Sequence, residues 1–366
     1  MTLLTVNAGS SSLRLALFAY DGALKTLAAQ RYDGNADAGP ERISGFLQCH
    51  PMNEITCVAH RVVHGGDTLT APCKIDAAVE AEIDRISPLA PLHNPAALKW
   101  IRACRALFGA QVLQVAVFDT AFYARLPDVA RHYALPTALT RRHKLRRYGF
   151  HGLAHEAMWL RWRELRPGIT DGGRVISIQL GAGCSITAIH SGSAIDTSMG
   201  FTPLEGLVMA TRCGDIDPGL LMFLQRAEGL TSEQIERVLN DESGLLGLSG
   251  ESADMKRLLD SQQPGARLAV DVYCYRVRKY IGAYLAVLGG AEAILFGGGV
   301  GEQAPTVRSK ILSGLESLGI LLDANANHAA IGAQTCISDG RSKVEVWVIP
   351  VDEAEMLARA AVAITK

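Results

Sequence analysis

The sequence predicts an α/β protein built as two halves on a common plan, and three observations carry that prediction. Segments with strand periodicity alternate with segments of helical periodicity, the pattern of a layered α/β fold. A strand, a small Gly/Ser turn, a second strand and a further turn open the chain as LLTVNAGSSSLRLALFAYDGAL, and the same order returns near position 175 as RVISIQLGAGCSITAIHSGSAI. The two stretches differ in letters but match in the order and spacing of their elements. The chain has 366 residues, too long for one ordinary core, so two domains are expected.

The elements follow in order. Leu3–Val6 is already strand-like, so nothing at the start reads as a basic, apolar leader. Asp21-Gly22 marks a hairpin turn. AHRVVHGGDTLTAP sets Arg61 between two histidines, just before Gly65-Gly66, and LAPLHNPAAL sets His93 between prolines ahead of a helix. VAVFDTAFYARLP ends an apolar strand at Asp119, where α/β enzymes place catalytic groups. RRYGFHGLAHEAM supplies His151 and His155 at a spacing that a zinc pair also uses, but no HExxH and no third ligand accompany them. A lone histidine is commonly structural and a strand-end Asp is often a helix cap, so each of these residues has a bland reading beside the functional one.

TPLEGLVMATRCGDIDPG then sets one cation, Arg212, among small and apolar residues between Pro203 and Pro218, followed by Asp215 and Asp217. A partly buried guanidinium needs anionic partners, from the protein or from a ligand. A helix over about 266–288 carries apolar residues at helical spacing (Leu268, Val272, Tyr275, Ile281, Leu285, Leu288). AEAILFGGGVGEQAP is a short apolar strand entering a Gly-rich loop, and KVEVWVIPVDEAEMLARAAVAI closes the chain as strand, turn and amphipathic helix. No low-complexity linker separates the halves.

Composition narrows the function classes. With a formal net charge of −1 and 20% charged residues, neither nucleic acid nor a membrane surface is an expected partner. The weakly charged run from Ile281 to Gly301 holds Glu292 and seven glycines, which reads as helix, strand and loop and not as a membrane span. Eight cysteines without a CxxC pair read as reduced thiols of a cytoplasmic protein.

Three Gly-rich turns carry the chemistry. Asn7-Ala8-Gly9-Ser10-Ser11-Ser12, with Arg14, can present backbone N–H groups, hydroxyls and a cation to one anion, or be an ordinary hairpin loop. Gly181-Ala182-Gly183-Cys184-Ser185 lets a phosphate approach because glycine lacks a Cβ. Gly297–Glu302 suits a base and ribose. There is no GxGxxG after an N-terminal strand and no GxxxxGK[ST], which argues against a Rossmann site and a P-loop. Three strand-terminated Gly loops in two related halves favour a nucleotide in a cleft between them.

The ordered set NAGSSSL, HRVVHGG, PLHNP, VFDTAF, YALP, RRYGFHG, DTSMGFTPLEGL, TR.GDIDPG, DMK, G.GVGE and the final IP..E resembles the acetate kinase family over nearly the whole chain. The resemblance implies two duplicated actin-like (ribonuclease H-like) domains, each a mixed β-sheet flanked by helices, around a nucleotide cleft. It implies an N-terminal domain of 1–123 plus 355–366, a C-terminal domain of 124–354, and a homodimer. The implied reaction is reversible, direct in-line transfer of the ATP γ-phosphoryl group to acetate or propionate, giving acyl phosphate and ADP with Mg²⁺.

Roles carry over by position. Arg212 clamps the transferring phosphoryl, whose equatorial oxygens gather charge. Arg61 neutralises the carboxylate, and His151 donates to the transition state. Val63, Leu92, Phe150 and Pro203 form an apolar acyl pocket. Asn7 and Glu353 match magnesium positions. Asp119 matches the residue usually given as acid or base. A carboxylate acceptor is already ionised at neutral pH, however, so orienting magnesium, its waters or an arginine is the better role. The nucleotide set is Ser10, Ser12, Arg14, Gln179, Leu180, Gly181, Ala182, Gly183, Asp254, Met255, Lys256, Gly299, Val300, Gly301, Glu302 and Gln303.

Several positions depart from the family pattern. QLGAGCS replaces HLGNGAS, placing Gln179 for His and Ala182 for Asn. Arg14 stands for Lys, Tyr123 for His, Leu153-Ala154 for Thr-Ser, Lys256 for Arg, Gln303 for Asn and Val351-Asp352 for Thr-Asn. The stretch from Gly22 to Pro51 is short for the family. Two alternatives stand beside the main reading: a sugar or polyol kinase of the same fold, with Asp119 a true base, and a nucleotide-binding module whose activity has decayed.

Overall fold

The computed structural model describes residues 1–9, 12–33, 39, 41–50, 54–91 and 93–366. The chain forms two compact units. The first holds Met1–Ala124, Phe150–Leu153 and Asp352–Lys366, and the second holds Arg125–Gly149 and Ala154–Val351. Phe150–Leu153 thus belong to the first unit, although the boundary expected from the sequence leaves them in the second. The reason is local: Tyr123 donates its hydroxyl to the Phe150 carbonyl at 2.8 Å, and the bare Cα of Gly152 lies against the Asp119 carbonyl.

The first unit is a six-stranded mixed sheet of β1 (Thr2–Ala8), β2 (Ser12–Tyr20), β3 (Leu24–Asp33), β4 (Cys57–Val62), β5 (Cys73–Lys74) and β6 (Leu113–Phe118), in the order β3-β2-β1-β4-β6-β5. β1, β2 and β3 pair antiparallel, β4 and β6 run parallel to β1, and β5 returns antiparallel on β6. The central strands β1, β4 and β6 are almost wholly buried, as expected of apolar strands covered on both faces. Edge strand β3 is largely exposed, and its Lys25 and Arg31 discourage pairing with another chain.

One helix, Asn94–Phe108, serves two parts of this core. Its Trp100 and Cys104 pack with Leu4, Val6, Leu15 and Phe46, while Ala97, Leu98 and Ile101 pack with Val62, Ala116 and Phe118. Pro95 suits its first turn and Gly109, at φ 83°, ends it. The closing helix Glu353–Thr365 buries Met356, Leu357, Ala361 and Val362.

The second unit repeats the plan strand for strand. Its strands are β7 (Arg174–Leu180), β8 (Cys184–His190), β9 (Ser193–Thr197), β10 (Ala293–Gly297), β11 (Thr335–Cys336) and β12 (Glu345–Val348), in the order β11-β12-β10-β7-β8-β9. Again the first three are antiparallel, the next long strands run parallel to the first, and a two-residue strand closes the far edge. The fold is therefore two duplicated domains, each a mixed sheet flanked by helices.

The helix Pro264–Leu288 has the expected length but a shifted face. Ala266, Ala269, Val270, Tyr273, Cys274, Val277, Ile281, Tyr284 and Leu288 point inward, whereas Leu268 and Tyr275 are exposed. Ile281 and Leu288 of the expected stripe are buried as read, while in the first half of the helix the inward face runs through Ala266, Ala269, Val270, Tyr273 and Cys274 instead of Leu268 and Tyr275. All eight cysteines are free thiols. No helix among the described residues is long and apolar enough to cross a membrane.

Candidate active site

Three neighbouring parallel strands of the first unit end in chemistry. Asn7 lies at the end of β1, Arg61 at the end of β4, and Asp119 directly after β6. Because these strands are adjacent and parallel, their carboxyl ends bring the three side chains together. Arg61 grips Asp119 with two bonds, Nε to Oδ1 at 3.0 Å and Nη2 to Oδ2 at 2.6 Å, and its Nη1 donates to Asn7 Oδ1 at 3.2 Å. Glu353, the first residue of the closing helix, accepts from Asn7 Nδ2 at 2.7 Å and lies 3.6 Å from Arg61 Nη1.

This cluster is dry. The Arg61 side chain is 12% exposed, that of Asp119 1% and that of Glu353 10%. Burial opposes the charge on Arg61, but Asp119 and Glu353 outweigh it and hold the guanidinium above its ordinary value. Burial pushes the Asp119 carboxyl up against the pull of Arg61. Glu353 is also buried, yet Arg61 and the Asn7 bond draw it below the usual carboxylate range. Two carboxyl groups thus share one guanidinium.

The Gly149–Gly152 loop lies against this cluster. His151 sits in the left-handed region at φ 58°, and its backbone hydrogen-bonds to the Asp119 carboxylate. The loop can lie this close because a Cβ on Gly152 would fall 2.0 Å from the Asp119 carbonyl. Phe150 is buried and meets His64 edge to face at 5.6 Å, and Val63 is buried as well. Tyr123, which stands for the family's His, has a clear task in pinning the Phe150 carbonyl.

In the second unit, Arg212 does not pair with either acid that follows it. Asp215 accepts from the Gly206 N–H and the Tyr280 hydroxyl, and Asp217 caps the helix Pro218–Glu228 through the Gly219 N–H. Arg212 Nη1 instead donates to the Pro203 carbonyl at 3.2 Å, with the Met209 sulfur at 3.9 Å. Among the described residues it has no ion pair, and burial lowers its pKa. A cation held in this way is short of an anion.

One Gly-rich turn of the second unit adjoins the segment carrying that arginine. The Ala182 carbonyl, in the β7–β8 turn Gly181–Gly183, accepts from Ala210 N at 3.0 Å, which ties this turn to the segment carrying Arg212. Ala182 itself is exposed and offers no side-chain donor. Gln179 and Leu180 end β7, with the Gln179 amide nitrogen beside Gly298 and its Oε1 buried without a described partner. The third loop is a short helix, Gly298–Gln303, with Gly299 exposed, Val300 half-buried and Gly301 buried. Glu302 closes this loop by accepting from Gly298 N and Val351 N, and Gln303 is exposed. Asp254 caps the helix Met255–Asp260, Met255 is core and Lys256 is exposed. Ser12 lies at the start of β2, with Arg14 exposed along it. Ser10 and Leu92 lie outside the described residues.

Sequence reasoning missed three supports. Asn94, not His93, anchors the PLHNP motif: it is fully buried and bonds both the N–H and the carbonyl of His64. Arg308, with no exposed surface, bonds the carbonyls of Gly301, Glu302, Asn327 and Ala330 and so fixes the third loop. Arg147 bonds Glu205 at 2.6 Å and the carbonyls of Thr197, Ser198 and Met199. Only the cluster of basic letters in RRHKLRR hinted at Arg147, and nothing distinguished Arg308. His155, flagged beside His151, has both ring nitrogens on serine hydroxyls, Ser177 and Ser185, each at 2.8 Å.

Residues 41–359 match the model of the Acetokinase family. The chain is 47% identical to the acetate kinase of Chloroherpeton thalassium over 321 residues, 86% of this chain and 77% of that one. It is 48% identical to the acetate kinase of Dictyoglomus turgidum over 322 residues, 87% and 78% of the two chains. Among solved structures, the acetate kinase of Porphyromonas gingivalis superposes with a TM-score of 0.90 at 36% identity over 100% of both chains. A propionate kinase from Francisella tularensis gives 0.88 at 33% identity over 99% of both.

Proposed function

The chain belongs to the acetokinase family, and from that premise we propose how its own residues carry out phosphoryl transfer between ATP and a short carboxylate. The protein is a kinase acting on a carboxyl group. Our reading is that the γ-phosphoryl group passes directly, in line, to acetate or propionate, giving acyl phosphate and ADP. The single observation that carries it is Arg212, a largely buried guanidinium whose described polar contacts are a carbonyl and a thioether. Equatorial phosphoryl oxygens are the anion it lacks.

Arg61 is the second support. A guanidinium has about five N–H donors. Three are engaged with Asp119 and Asn7, which leaves two for an incoming carboxylate. Asp119 holds Arg61 in that orientation. As the bound partner of an arginine it is poorly suited to take a proton from a hydroxyl acceptor, which disfavours a sugar or polyol substrate. His151, set over Asp119 by its loop, is the proposed donor to the transition state.

The cluster also fits magnesium. Asn7 and Glu353 are hard oxygen donors, Glu353 is held below the usual carboxylate range, and Mg²⁺ needs only one or two protein ligands when waters and phosphates supply the rest. Asn7 and Glu353 would hold the ion, which when bound neutralises charge on the nucleotide phosphates. The reading is tested by measuring ADP release with Mg-ATP and a panel of acceptors. Release that rises with acetate or propionate supports it; release that rises only with glucose or glycerol contradicts it.

The altered β7–β8 turn bears on the donor. An amide at position 182 would present an N–H to a phosphate, and Ala182 does not. A hydrogen bond to a charged group contributes about 1.5–3 kcal/mol, so Ala182→Asn is expected to lower KM for ATP by about tenfold or more. An unchanged or higher KM would mean that Gln179 or the backbone already supplies the contact.

We also propose a homodimer and a cytoplasmic setting. The helix Pro218–Glu228 buries no residue, and its Leu220, Met222 and Phe223 are 45%, 57% and 56% exposed. A second copy is the partner that would cover this apolar face. Phe223→Glu is expected to halve the mass seen by light scattering; a monomeric parent protein would refute the dimer. Eight free thiols suit a reducing compartment.

A further inference from the structure

We propose that Asp215, with Arg276 and Tyr280, is a clasp that positions Arg212. The proposal rests on the reading of Arg212 as the phosphoryl-binding arginine. Arg212 has few partners of its own, so its location depends on the backbone that carries it. That backbone is the stretch between Gly206 and Asp215, whose Leu207, Val208 and Met209 are buried. The two ends are joined directly: Asp215 N donates to the Gly206 carbonyl at 2.9 Å, and Gly206 N donates to Asp215 Oδ1 at 2.8 Å.

The long helix Pro264–Leu288 also grips this junction. Arg276 Nη1 donates to the Gly206 carbonyl at 3.2 Å and to the Asp215 carbonyl at 3.1 Å, while Tyr280 donates to Asp215 Oδ2 at 2.7 Å. Asp215 Oδ2 also lies 3.6 Å from Arg276. Gly214, at φ 69°, allows the close return, since a Cβ there would fall 2.4 Å from the Leu207 carbonyl. Both carboxylate oxygens of Asp215 thus serve the clasp and neither serves Arg212. None of the three residues has a contact that requires substrate, so they are positioning residues. A displacement of about 1 Å in a group that meets the transition state can cost as much as about a hundredfold in rate.

The test is a double-mutant cycle read in kcat. Asp215→Ala is expected to lower kcat about tenfold with KM for ATP changed less than about twofold, and to add no further loss in an Arg212→Ala background. Asp215→Asn, which keeps an acceptor for the Gly206 N–H, is expected to stay within about threefold of the native kcat. The same tenfold loss in both backgrounds would show general loosening and overturn the proposal, as would native turnover in Asp215→Ala. Should Asp215→Ala fail to fold, Tyr280→Phe removes one bond of the clasp. Its expected effect is about a threefold loss of kcat that vanishes in Arg212→Ala. No loss, or an equal loss in both backgrounds, overturns the clasp. Native turnover in Arg212→Ala alone would instead sink the reading of Arg212, and the clasp with it.

Discussion

Arg212→Ala is expected to lower kcat by about 10²- to 10³-fold while KM for ATP stays within about threefold. In the proposed role the side chain meets ground-state nucleotide weakly and the charge that gathers on the phosphoryl group strongly, so its loss should fall on the chemical step. Its burial strengthens the effect, because a charge in a dry site acts through a low dielectric. Stability should change little or rise, since the substitution removes a buried cation that has no ion pair among the described residues. Steady-state kinetics and a thermal melt decide the matter together. A normal kcat would make the guanidinium structural, and its carbonyl bond to Pro203 would be its whole role.

Arg61→Ala is expected to do the opposite to stability. It strands Asp119 and Glu353 as buried carboxylates facing each other, a change that typically costs about 3–5 kcal/mol. The pH dependence has a defined sign. Native Glu353 sits below its unfolded value, so its contribution is present above the usual carboxylate range and is lost as pH falls through the folded pKa. Asp119, raised by burial, works in the opposite direction. Without Arg61 both carboxylates rise. The variant's deficit should therefore be small at about pH 3, where most unfolded-state carboxyls are protonated, and full at neutral pH. Denaturant titrations at the two pH values measure it, and a deficit independent of pH would refute the charge account. In kinetics, KM for the carboxylate should rise about 10²-fold, and Arg61→Lys should not restore it, because lysine lacks the two-pronged fork.

Much of this was legible in the sequence because it is local. The recurrence of strand, small turn and strand at Leu3 and Val175 announces a duplication that the sheets repeat down to their short edge strands, β5 and β11. Asn7, Arg61 and Asp119 stand at strand ends, and strand ends are marked by where an apolar run stops. What could not be read depends on contacts between distant segments. The choice between Asp215, Asp217 and a ligand as the partner of Arg212 turns on Tyr280 and Arg276, over 60 residues away. The inward face of the helix Pro264–Leu288 mixes small and large residues, so hydrophobic size alone finds Ile281 and Leu288 but picks Leu268 and Tyr275 wrongly. Asn94 and Arg308 act through backbone carbonyls and N–H groups, which have no letter in the sequence.

Trapping with hydroxylamine tests the central claim most directly, because an activated acyl group such as an acyl phosphate converts to a hydroxamate under mild conditions and a free carboxylate does not. The protein is incubated with Mg-ATP, hydroxylamine and acetate or propionate, and the coloured iron–hydroxamate complex is followed beside ADP release. Equal amounts of hydroxamate and ADP, both lost in Arg212→Ala, are the predicted result. ADP release without hydroxamate would mean hydrolysis or transfer to another acceptor, and it would contradict the assignment of a carboxylate as the group these arginines serve.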